Sequence, residues 1–290
     1  MLKKQNNMQT ITAVIPAKNE DDLSKNVSVI ISVYNEDAVI GNCLVSLKKQ
    51  TIKPEIIVVD DGSTDRSASF AQFKQKHLGP GAARNLGASK AKGNILVFVD
   101  ADMEFEPNFI EKLIEPINSF RDGKYIIGTF SKEEYLLNKE NIWARCWNIN
   151  LGRNAGRMHS DNYPNEQEVF RAIRKDYFNK AGGFDTMVGY TDDWTISRKL
   201  GIKAVFAPGA KYYHTNPASL KEVWTQARWF GKNEFLTKNL TRRLFNLFRY
   251  FPLWSVFSFY NINLLIFKLV YNAAVFTSVF LSFFGEQKAR

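Results

Sequence analysis

Residues 27–33 read VSVIISV, a run rich in β-branched apolar side chains that polar residues follow at once. Two more runs of this kind come later in the chain, IIVV at 56–59 and ILVFV at 95–99. Short apolar runs that end in polar residues are typical of strands buried on both faces of a parallel sheet. Helical patterns lie between the runs, for example at 37–50 and 82–92. This alternation predicts an α/β fold with right-handed crossovers.

The first strand has two candidate positions, because TAVIPAKNED at 12–21 resembles SVIISVYNED at 28–37. The later segment reaches the run at 56–59 through one helix, which is a normal crossover length, whereas the earlier one would leave a much longer connection. We therefore expect the first strand at 27–33 and assign residues 1–26 to an N-terminal extension or an added edge strand. The apolar run ITAVIPA within it is short for a signal-peptide core, so we expect no secretion signal.

Composition excludes several classes of protein. The chain has 290 residues, of which 45% are apolar and 14% aromatic, so a disordered chain is excluded and a sizeable core is allowed. Its two cysteines, Cys43 and Cys146, argue against a disulfide scaffold and a zinc cluster. The net charge is +10, and residues 221–290 hold ten basic and three acidic side chains beside the most apolar stretch. This combination favours an anionic membrane surface over nucleic acid as a partner.

Acidic residues follow each of the three predicted strands at the point where the strand ends: Glu36, Asp60 with Asp61, and Asp100 with Asp102. The carboxyl ends of parallel strands meet at one edge of a sheet, where α/β proteins bind ligands. Neighbouring carboxylates repel each other unless a cation or a basic side chain binds there. Carboxylate oxygens suit Mg²⁺ or Mn²⁺, which bind phosphate oxygens in turn. A lone Asp-x-Asp is more often an ordinary acidic turn, so the surrounding motifs decide the interpretation.

Four motifs in order resemble the family 2 glycosyltransferases, which have the nucleotide-diphosphosugar transferase (GT-A) fold. They are VSVIISVYNE at 27–36, IIVVDDGSTD at 56–65, GPGAARNLGASKAKGNILVFVDAD at 79–102 and AGGFDTMVGYTDDWTISRKL at 181–200. Each motif alone is weak, but the four together are a specific signal, and the resemblance extends to about residue 233. The glycines at 79–87 do not form a dinucleotide-binding motif, because no predicted strand leads directly into their loop. The resemblance implies a Rossmann-like mixed sheet of GT-A type flanked by helices, and a nucleotide-sugar donor.

The resemblance also implies roles for the matching residues. Those expected to bind nucleotide or substrate are Tyr34, Glu36, Asp61, Arg84, Asp100 and Asp192. Within this set, Tyr34 and Glu36 would line the nucleoside pocket, and Asp61 would bond the base, which is usually uracil in this family. The residues expected to ligate Mn²⁺ or Mg²⁺ are Asp102, Asp100 and His214, the last at a position where some relatives place a third ligand. The ion would neutralise the departing diphosphate.

Asp192-Asp193-Trp194 matches the family's Glu-Asp-x motif, so Asp193 aligns with the general base. This carboxylate would deprotonate an acceptor hydroxyl for in-line attack on the anomeric carbon, with inversion. Asp192 replaces the more usual Glu, and Thr195 stands where a further acid is common. Without the other motifs, the two acids would be interpreted as helix N-caps. A lone histidine is more often structural than ligating, but the Asp-x-Asp pair upstream leaves both roles open for His214. His77 and His159 have no comparable sequence setting.

The C-terminal part divides into a basic amphipathic helix region at 219–249 and an apolar, membrane-associated segment at 250–290, after a catalytic domain at 27–218. Leu264–Phe284 is long enough for one membrane span of about 20 residues. Its alternatives are two shorter passes at 251–267 and 269–284, an interfacial pair of helices, and a buried helix that caps the catalytic domain. Three arginines precede the apolar segment, and they are Arg242, Arg243 and Arg249. They predict that the N-terminal flank of the segment is cytoplasmic.

The expected function is that of a hexosyltransferase-type enzyme, inverting and metal-dependent. It would move a sugar from a nucleotide-sugar, most readily UDP-linked, to a hydroxyl of a lipid-linked or envelope glycan at the cytoplasmic face of a membrane. One alternative is a polyprenyl-phosphate glycosyltransferase, whose acceptor is already ionised and needs no general base. A catalytically degenerate scaffold is another, although intact Asp61, Asp100, Asp102 and Asp193 argue against it. Nucleic acid is not expected as a partner.

Overall fold

The computed structural model describes residues 26–121, 123–160, 162–186, 189–237, 239–258 and 261–285. The expected N-terminal extension at 1–26 lies almost wholly outside the described residues. The strands are β1 (Val27–Val33), β2 (Glu55–Asp60), β3 (Phe73–Lys74), β4 (Ile95–Asp100), β5 (Met103–Phe105), β6 (Phe120–Arg121), β7 (Lys124–Tyr125), β8 (Gly128–Phe130), β9 (Glu134–Leu136), β10 (Glu166–Gln167), β11 (Ala172–Arg174), β12 (Ala204–Phe206) and β13 (Tyr212–His214). The helices are α1 (Ile40–Lys48), α2 (Pro80–Lys90), α3 (Phe109–Ile114), α4 (Ile142–Asn150), α5 (Lys175–Lys180), α6 (Thr195–Leu200), α7 (Leu220–Thr237), α8 (Leu240–Arg249) and α9 (Ile262–Leu281).

The main sheet is mixed, with the strand order β10-β12-β8-β11-β4-β1-β2-β3. Its centre is parallel, because β1 pairs with β2 on one side and with β4 on the other. These three strands are the apolar runs of the sequence. Strand β11 runs antiparallel to both β4 and β8, which makes the sheet mixed. The fold class expected from the sequence, an α/β fold with a mixed sheet flanked by helices, is confirmed.

Both faces of the central strands are buried, which explains why their sequences do not alternate between apolar and polar residues. On one face, Val29 and Ile31 pack with helices α1 and α3. On the other face, Ile30 packs with helix α2. The approach of α2 is so close that a Cβ on Gly87 would lie 2.5 Å from Ile30 Cγ2. Helices therefore cover the sheet on both sides and leave its edge for the site.

A second, three-stranded sheet has the order β5-β13-β9. Strand β5 begins three residues after the end of β4, so the two sheets adjoin at the Asp100–Asp102 segment. Strand β13 pairs antiparallel with β5 and parallel with β9. In this register His214 lies opposite Met103 and Leu136, which brings the end of β13 next to Asp102.

The C-terminal region forms a helical layer rather than two membrane passes. Residues 252–258 make a short 3-10 helix, and α9 follows as one helix of 20 residues. By length and composition α9 could cross a membrane, with 39% of its most apolar 18-residue window buried. Its buried side chains, among them Phe267 and Tyr271, share a core with Trp147 of α4 and Val223 of α7. The region expected at 219–249 contains two helices, α7 and α8, instead of one.

Candidate active site

The site lies where β4 ends. Asp100 is the last residue of β4, Ala101 is fully buried, and Asp102 directly precedes β5. The side chains of Asp100 and Asp102 are 29% and 22% exposed. The Asp-x-Asp pair therefore stands at the carboxyl edge of the parallel strands, as the sequence predicted.

Arg84 of helix α2 joins three of the predicted acidic residues through one guanidinium group. Its Nη2 donates to Asp100 Oδ1 at 2.8 Å, and its Nη1 donates to Asp192 Oδ2 at 3.3 Å and also to Asp193 Oδ1. Burial opposes its charge, but the charges of Asp193, Asp100 and Asp192 raise the pKa of Arg84 above its ordinary value. Residues more than 100 positions apart in the sequence are thus held in one cluster by a cation that is 7% exposed.

Arg171 is a site residue that sequence reasoning missed. It directly precedes β11, and its Nη1 lies 3.3 Å from Asp100 Oδ2. Its guanidinium also stacks over the ring of Tyr212, at 5.7 Å from the ring centroid. Burial alone would raise the pKa of Asp100, but Arg84 and Arg171 hold it well below its ordinary value. The available signal was an arginine inside the apolar run VFRAI at 169–173.

Asp192 and Asp193 lie in the 3-10 turn Gly189–Trp194, which leads into α6. Asp193 is 34% exposed and Asp192 only 7%, so Asp193 is the more accessible carboxylate. Burial is the main cause that raises the pKa of Asp192 to about 7; Arg84 opposes it, and the charge of Asp193 adds to it. The Thr195 hydroxyl donates to the Asp192 carbonyl at 2.7 Å. Thr195 therefore supports the turn that presents Asp193.

A second cluster forms around Glu134 of β9, which sequence reasoning also missed. His214 has Nε2 at 3.1 Å from Asp102 Oδ2 and Nδ1 at 2.7 Å from Glu134 Oε1. The other Glu134 oxygen lies 2.8 Å from His159 Nε2 and accepts a hydrogen bond from the Tyr212 hydroxyl at 2.9 Å. Burial opposes the charge on both partners, yet the acids raise the pKa of His214 and the histidines lower the pKa of Glu134. His159, which has no distinctive sequence setting, thus contacts the site.

Two of the three expected metal ligands fit a divalent cation. Asp102 Oδ1 is buried and has no hydrogen-bond partner among the described residues. His214 Nε2 faces the other Asp102 oxygen, while Glu134 orients the imidazole from its far side, as carboxylates do for metal-bound histidines. Asp100 fits less well, because Arg84 and Arg171 occupy its two oxygens. Within the described ranges, no group of three or more acidic, His or Cys residues has the geometry to hold a metal ion.

The expected nucleoside pocket lies at the ends of β1 and β2. Tyr34 stacks on His77 with ring centroids 4.1 Å apart. The side chain of Asp61 is 2% exposed, and its carboxylate accepts hydrogen bonds from Gln75 Nε2 at 2.7 Å and from the backbone amides of Leu78 and Gly79. Asp61 thus anchors the loop that leads into α2, so little of its carboxylate is left to bond a base in this arrangement.

Glu36 lies on the loop between β1 and α1. Its backbone amide donates to Ser67 Oγ at 2.8 Å, and its backbone carbonyl accepts from the amides of Val39 and Ile40. The structure therefore brings the predicted residues together in three groups, around Arg84, around Glu134 and around Asp61.

The mixed sheet and the carboxylates clustered at its carboxyl edge agree with the architecture that the sequence resemblance implied. The family model described as "Glycosyl transferase family 2" matches residues 28–182, which is more than half of the chain. The chain therefore belongs to glycosyl transferase family 2 and is a glycosyltransferase.

Relatives with curated names are similar over part or most of the chain. The putative glycosyltransferase EpsH of Bacillus subtilis (strain 168) is 28% identical over 238 residues, which cover 68% of this chain and 69% of EpsH. An undecaprenyl-phosphate 4-deoxy-4-formamido-L-arabinose transferase of Pectobacterium atrosepticum is 32% identical over 160 residues, 49% of this chain and 47% of that protein. Among solved structures, the mannosyltransferase PcManGT from Pyrobaculum calidifontis, in complex with GDP-Man and Mn²⁺, has a TM-score of 0.49 and 18% identity, over 91% of this chain and 77% of that one.

Proposed function

We propose that this glycosyltransferase moves a sugar with inversion from a UDP-sugar to a hydroxyl group of a lipid-linked or envelope glycan, with the help of a divalent cation. The observation that carries the proposal is the cluster around Arg84. One guanidinium places the candidate base Asp193 beside Asp100, which ends the strand that carries the Asp-x-Asp pair. The residues proposed for the donor and for the acceptor would thus both lie beside the buried guanidinium of Arg84.

The donor half of the proposal rests on the edge of the parallel strands. Asp102 and His214 would hold Mn²⁺ or Mg²⁺, and the buried, unpaired Asp102 Oδ1 is the atom that such an ion would satisfy. Bound there, the ion would neutralise negative charge on the departing diphosphate. Arg84 and Arg171 add positive charge at the same edge. The stacked Tyr34 and His77 rings would line the nucleoside pocket together with Glu36, while Asp61 would anchor the loop beside it.

The acceptor half rests on Asp193. Arg84 donates to one of its oxygens and fixes the carboxylate, which is partly open to solvent. The carboxylate would take the proton of the acceptor hydroxyl as the acceptor oxygen bonds to the anomeric carbon. The bond from that carbon to the diphosphate oxygen would break on the opposite side, which inverts the configuration. Asp192 would stay buried behind it as the second partner of Arg84.

Thermal stabilisation by nucleotides tests the donor half without a known acceptor, because a ligand that binds the folded state raises its stability. We expect UDP to raise the melting temperature more than GDP, CDP or dTDP in the presence of Mn²⁺. The shift should disappear with EDTA and in Asp102→Ala. A folded protein that responds to no nucleotide would contradict the donor assignment and support a degenerate scaffold.

The base assignment is tested by Asp193→Asn. We expect this variant to keep its stabilisation by UDP and Mn²⁺ while transfer to a hydroxyl acceptor falls by about 100-fold or more. Wild-type transfer rates in the variant would contradict the assignment of the base.

Transfer to a polyprenyl phosphate is the second candidate function. The similarity to the undecaprenyl-phosphate transferase, which covers 49% of this chain, supports it. A phosphate acceptor is already ionised, so its attack needs no general base. Transfer to a polyprenyl phosphate should therefore survive Asp193→Asn, whereas transfer to a hydroxyl should not. The two acceptors, assayed side by side with both proteins, separate the two functions.

We also propose that the chain has a catalytic part and a membrane-attached part, with the boundaries predicted from the sequence. Residues 27–218 would carry catalysis, while 219–249 and 250–290 would attach the enzyme to the cytoplasmic face of a membrane. The apolar and basic composition of this C-terminal region supports this location.

A further inference from the structure

Helix α8 carries its large apolar side chains on the outside of the molecule. Leu240, Leu244 and Phe248 follow one another at intervals of four residues and therefore form one stripe along the helix. They are 60%, 54% and 66% exposed, and Phe245 beside them is 59% exposed. A helix on the surface of a soluble domain normally turns such a stripe inwards.

An adjacent side of α8 faces the protein. Leu247 packs on the core formed with α7 and α9. Arg243 donates from Nη1 to the Ser282 carbonyl at 3.2 Å, and its guanidinium lies 5.7 Å from the ring centroid of Phe283. The helix is therefore fixed with its apolar stripe outwards.

The 3-10 helix after α8 extends the same surface. Its exposed apolar residues Leu253, Trp254 and Val256 are 64%, 40% and 56% exposed. The rings of Phe248 and Trp254 meet edge to face with centroids 5.3 Å apart, so the two elements are in direct contact. We call this area the α8 surface, and it consists of Leu240, Leu244, Phe245, Phe248, Phe251, Leu253, Trp254 and Val256.

The charge around the α8 surface is of one sign. Residues 239–285 contain no Asp or Glu. Exposed Arg242 and Arg249 lie on α8 beside Phe245, at spacings of three and four residues. Apolar side chains flanked by arginines, with an exposed tryptophan, are the composition of helices that lie in the interface of an anionic bilayer.

Helix α9 is the apolar segment long enough to span a membrane, and its buried side chains pack against other helices of the protein. Seven of its residues are buried, at positions 264, 267, 271, 274, 275, 278 and 279, and none from 263 to 279 is exposed. Trp147 of α4 contacts it through Phe267 and Tyr271, at centroid distances of 6.1 and 5.6 Å. To enter lipid alone, α9 would have to give up these contacts.

We propose that the α8 surface is an in-plane membrane-binding surface that rests on anionic lipid, and that α9 stays packed in the protein instead of crossing the bilayer. Large apolar side chains enter the boundary between headgroups and acyl chains, and the arginines beside them meet lipid phosphates. The proposal specifies the mode of the membrane attachment proposed above and does not depend on the glycosyl-transfer reaction.

The test is flotation of the full chain with vesicles of phosphatidylcholine, with or without 30 mol% phosphatidylglycerol, in the absence of donor and acceptor. We expect binding to the anionic vesicles, with the double variant Leu244→Glu, Phe248→Glu at least about tenfold weaker, because two inserted apolar side chains become charged. Arg249→Gln should weaken binding by about fivefold. The matched controls lie on the β6–β7 hairpin: Phe120→Glu, at a side chain that is 76% exposed, and Arg121→Gln.

Equal binding of the α8 variants and the controls would overturn the proposal. So would a wild-type dimer that the double variant splits while vesicle binding persists, because the surface would then bind a second copy of the chain. Wild-type protein in cell membranes should be released by alkaline carbonate, and retention until detergent is added would show that α9 spans the bilayer. Melting temperatures confirm folding of each variant, and Phe248→Ser serves as a milder change if the double variant unfolds.

Discussion

Arg84 is the residue on which the predicted acids converge. Its three carboxylate partners would repel one another without it, and two of them, Asp192 and Asp100, lie largely within the protein. Removal of one partner from a buried ionic cluster costs more than the cluster contributes, because the remaining charges stay buried without compensation.

We predict that Arg84→Met lowers the free energy of unfolding by about 3–5 kcal/mol, measured by urea denaturation. The matched control is Arg66→Met, where the side chain is 90% exposed and pairs with Asp37. This change should stay within about 0.5 kcal/mol of wild type. Similar losses at both positions would contradict the role of Arg84 as the centre of the cluster.

Asp192 should make stability depend on pH. Burial raises the pKa of Asp192 from 3.8 to about 7. Between these two pH values the folded state therefore holds a proton that the unfolded state has released. Its contribution to stability is therefore fully present below about pH 3.8 and is lost as the pH rises through about 7.

We predict that wild type loses melting temperature relative to Asp192→Asn as the pH rises from 5 to 8. The variant provides the reference because Asn cannot titrate. The control is Glu115→Gln, which removes a carboxylate outside the cluster at a side chain that is 63% exposed. A constant difference for Asp192→Asn would indicate that its carboxyl ionises normally in the folded protein.

Helices α7 and α9 pack through a glycine. A Cβ on Gly231 would lie 2.7 Å from Ser278 Cβ and 2.8 Å from the Val275 carbonyl oxygen, closer than such atoms can approach. In contrast, a Cβ on Gly41 of α1 would meet nothing within 4 Å. The same substitution therefore has opposite consequences in the two helices.

We predict that Gly231→Ala destabilises the protein by about 1–3 kcal/mol, since α7 must move away from α9. Gly41→Ala should stabilise it by about 0.5 kcal/mol through the helix propensity of alanine. Urea denaturation of both variants measures the contrast, and a stabilising Gly231→Ala would mean that the two helices are not in close contact.

The sequence pattern predicted the central elements better than the peripheral ones. Strands β1, β2 and β4 are continuous apolar runs, which few other structures explain. The basic amphipathic helix region expected at 219–249 contains α7, but the sequence did not separate α8 from it. Amphipathic periodicity cannot tell which face of a helix lies inwards, and in α8 the apolar face lies outwards.

The three-stranded sheet and the C-terminal helices both contact helix α4, so we expect them to unfold together. Trp147 of α4 is 4% exposed and packs on Phe267 and Tyr271 of α9. The same helix meets the end of β13, because Asn216 donates to the Ala144 carbonyl and to Asn148 Oδ1. Helix α4 therefore links the histidine strand to the helical layer.

We predict that Trp147→Ala lowers the free energy of unfolding by about 3–5 kcal/mol in one cooperative transition. Trp224→Ala, at a side chain that is 36% exposed, should cost about 1 kcal/mol or less. Tryptophan fluorescence and far-UV circular dichroism should give the same midpoint. Two separate transitions would show that the helical layer folds independently.

The local order of residues was enough to predict the parallel centre of the sheet and the acids at its edge, because both depend on apolar runs and on the polar residues that end them. Membership of the glycosyltransferase family was predicted from the resemblance of four sequence motifs to that family. Arg171, Glu134 and His159 joined the site only through folding: Arg171 is 71 positions from Asp100, and Glu134 is 80 positions from His214. The burial of α9 and the outward face of α8 likewise depend on partners that only packing supplies, because an apolar helix has the same sequence pattern whether lipid or protein covers it.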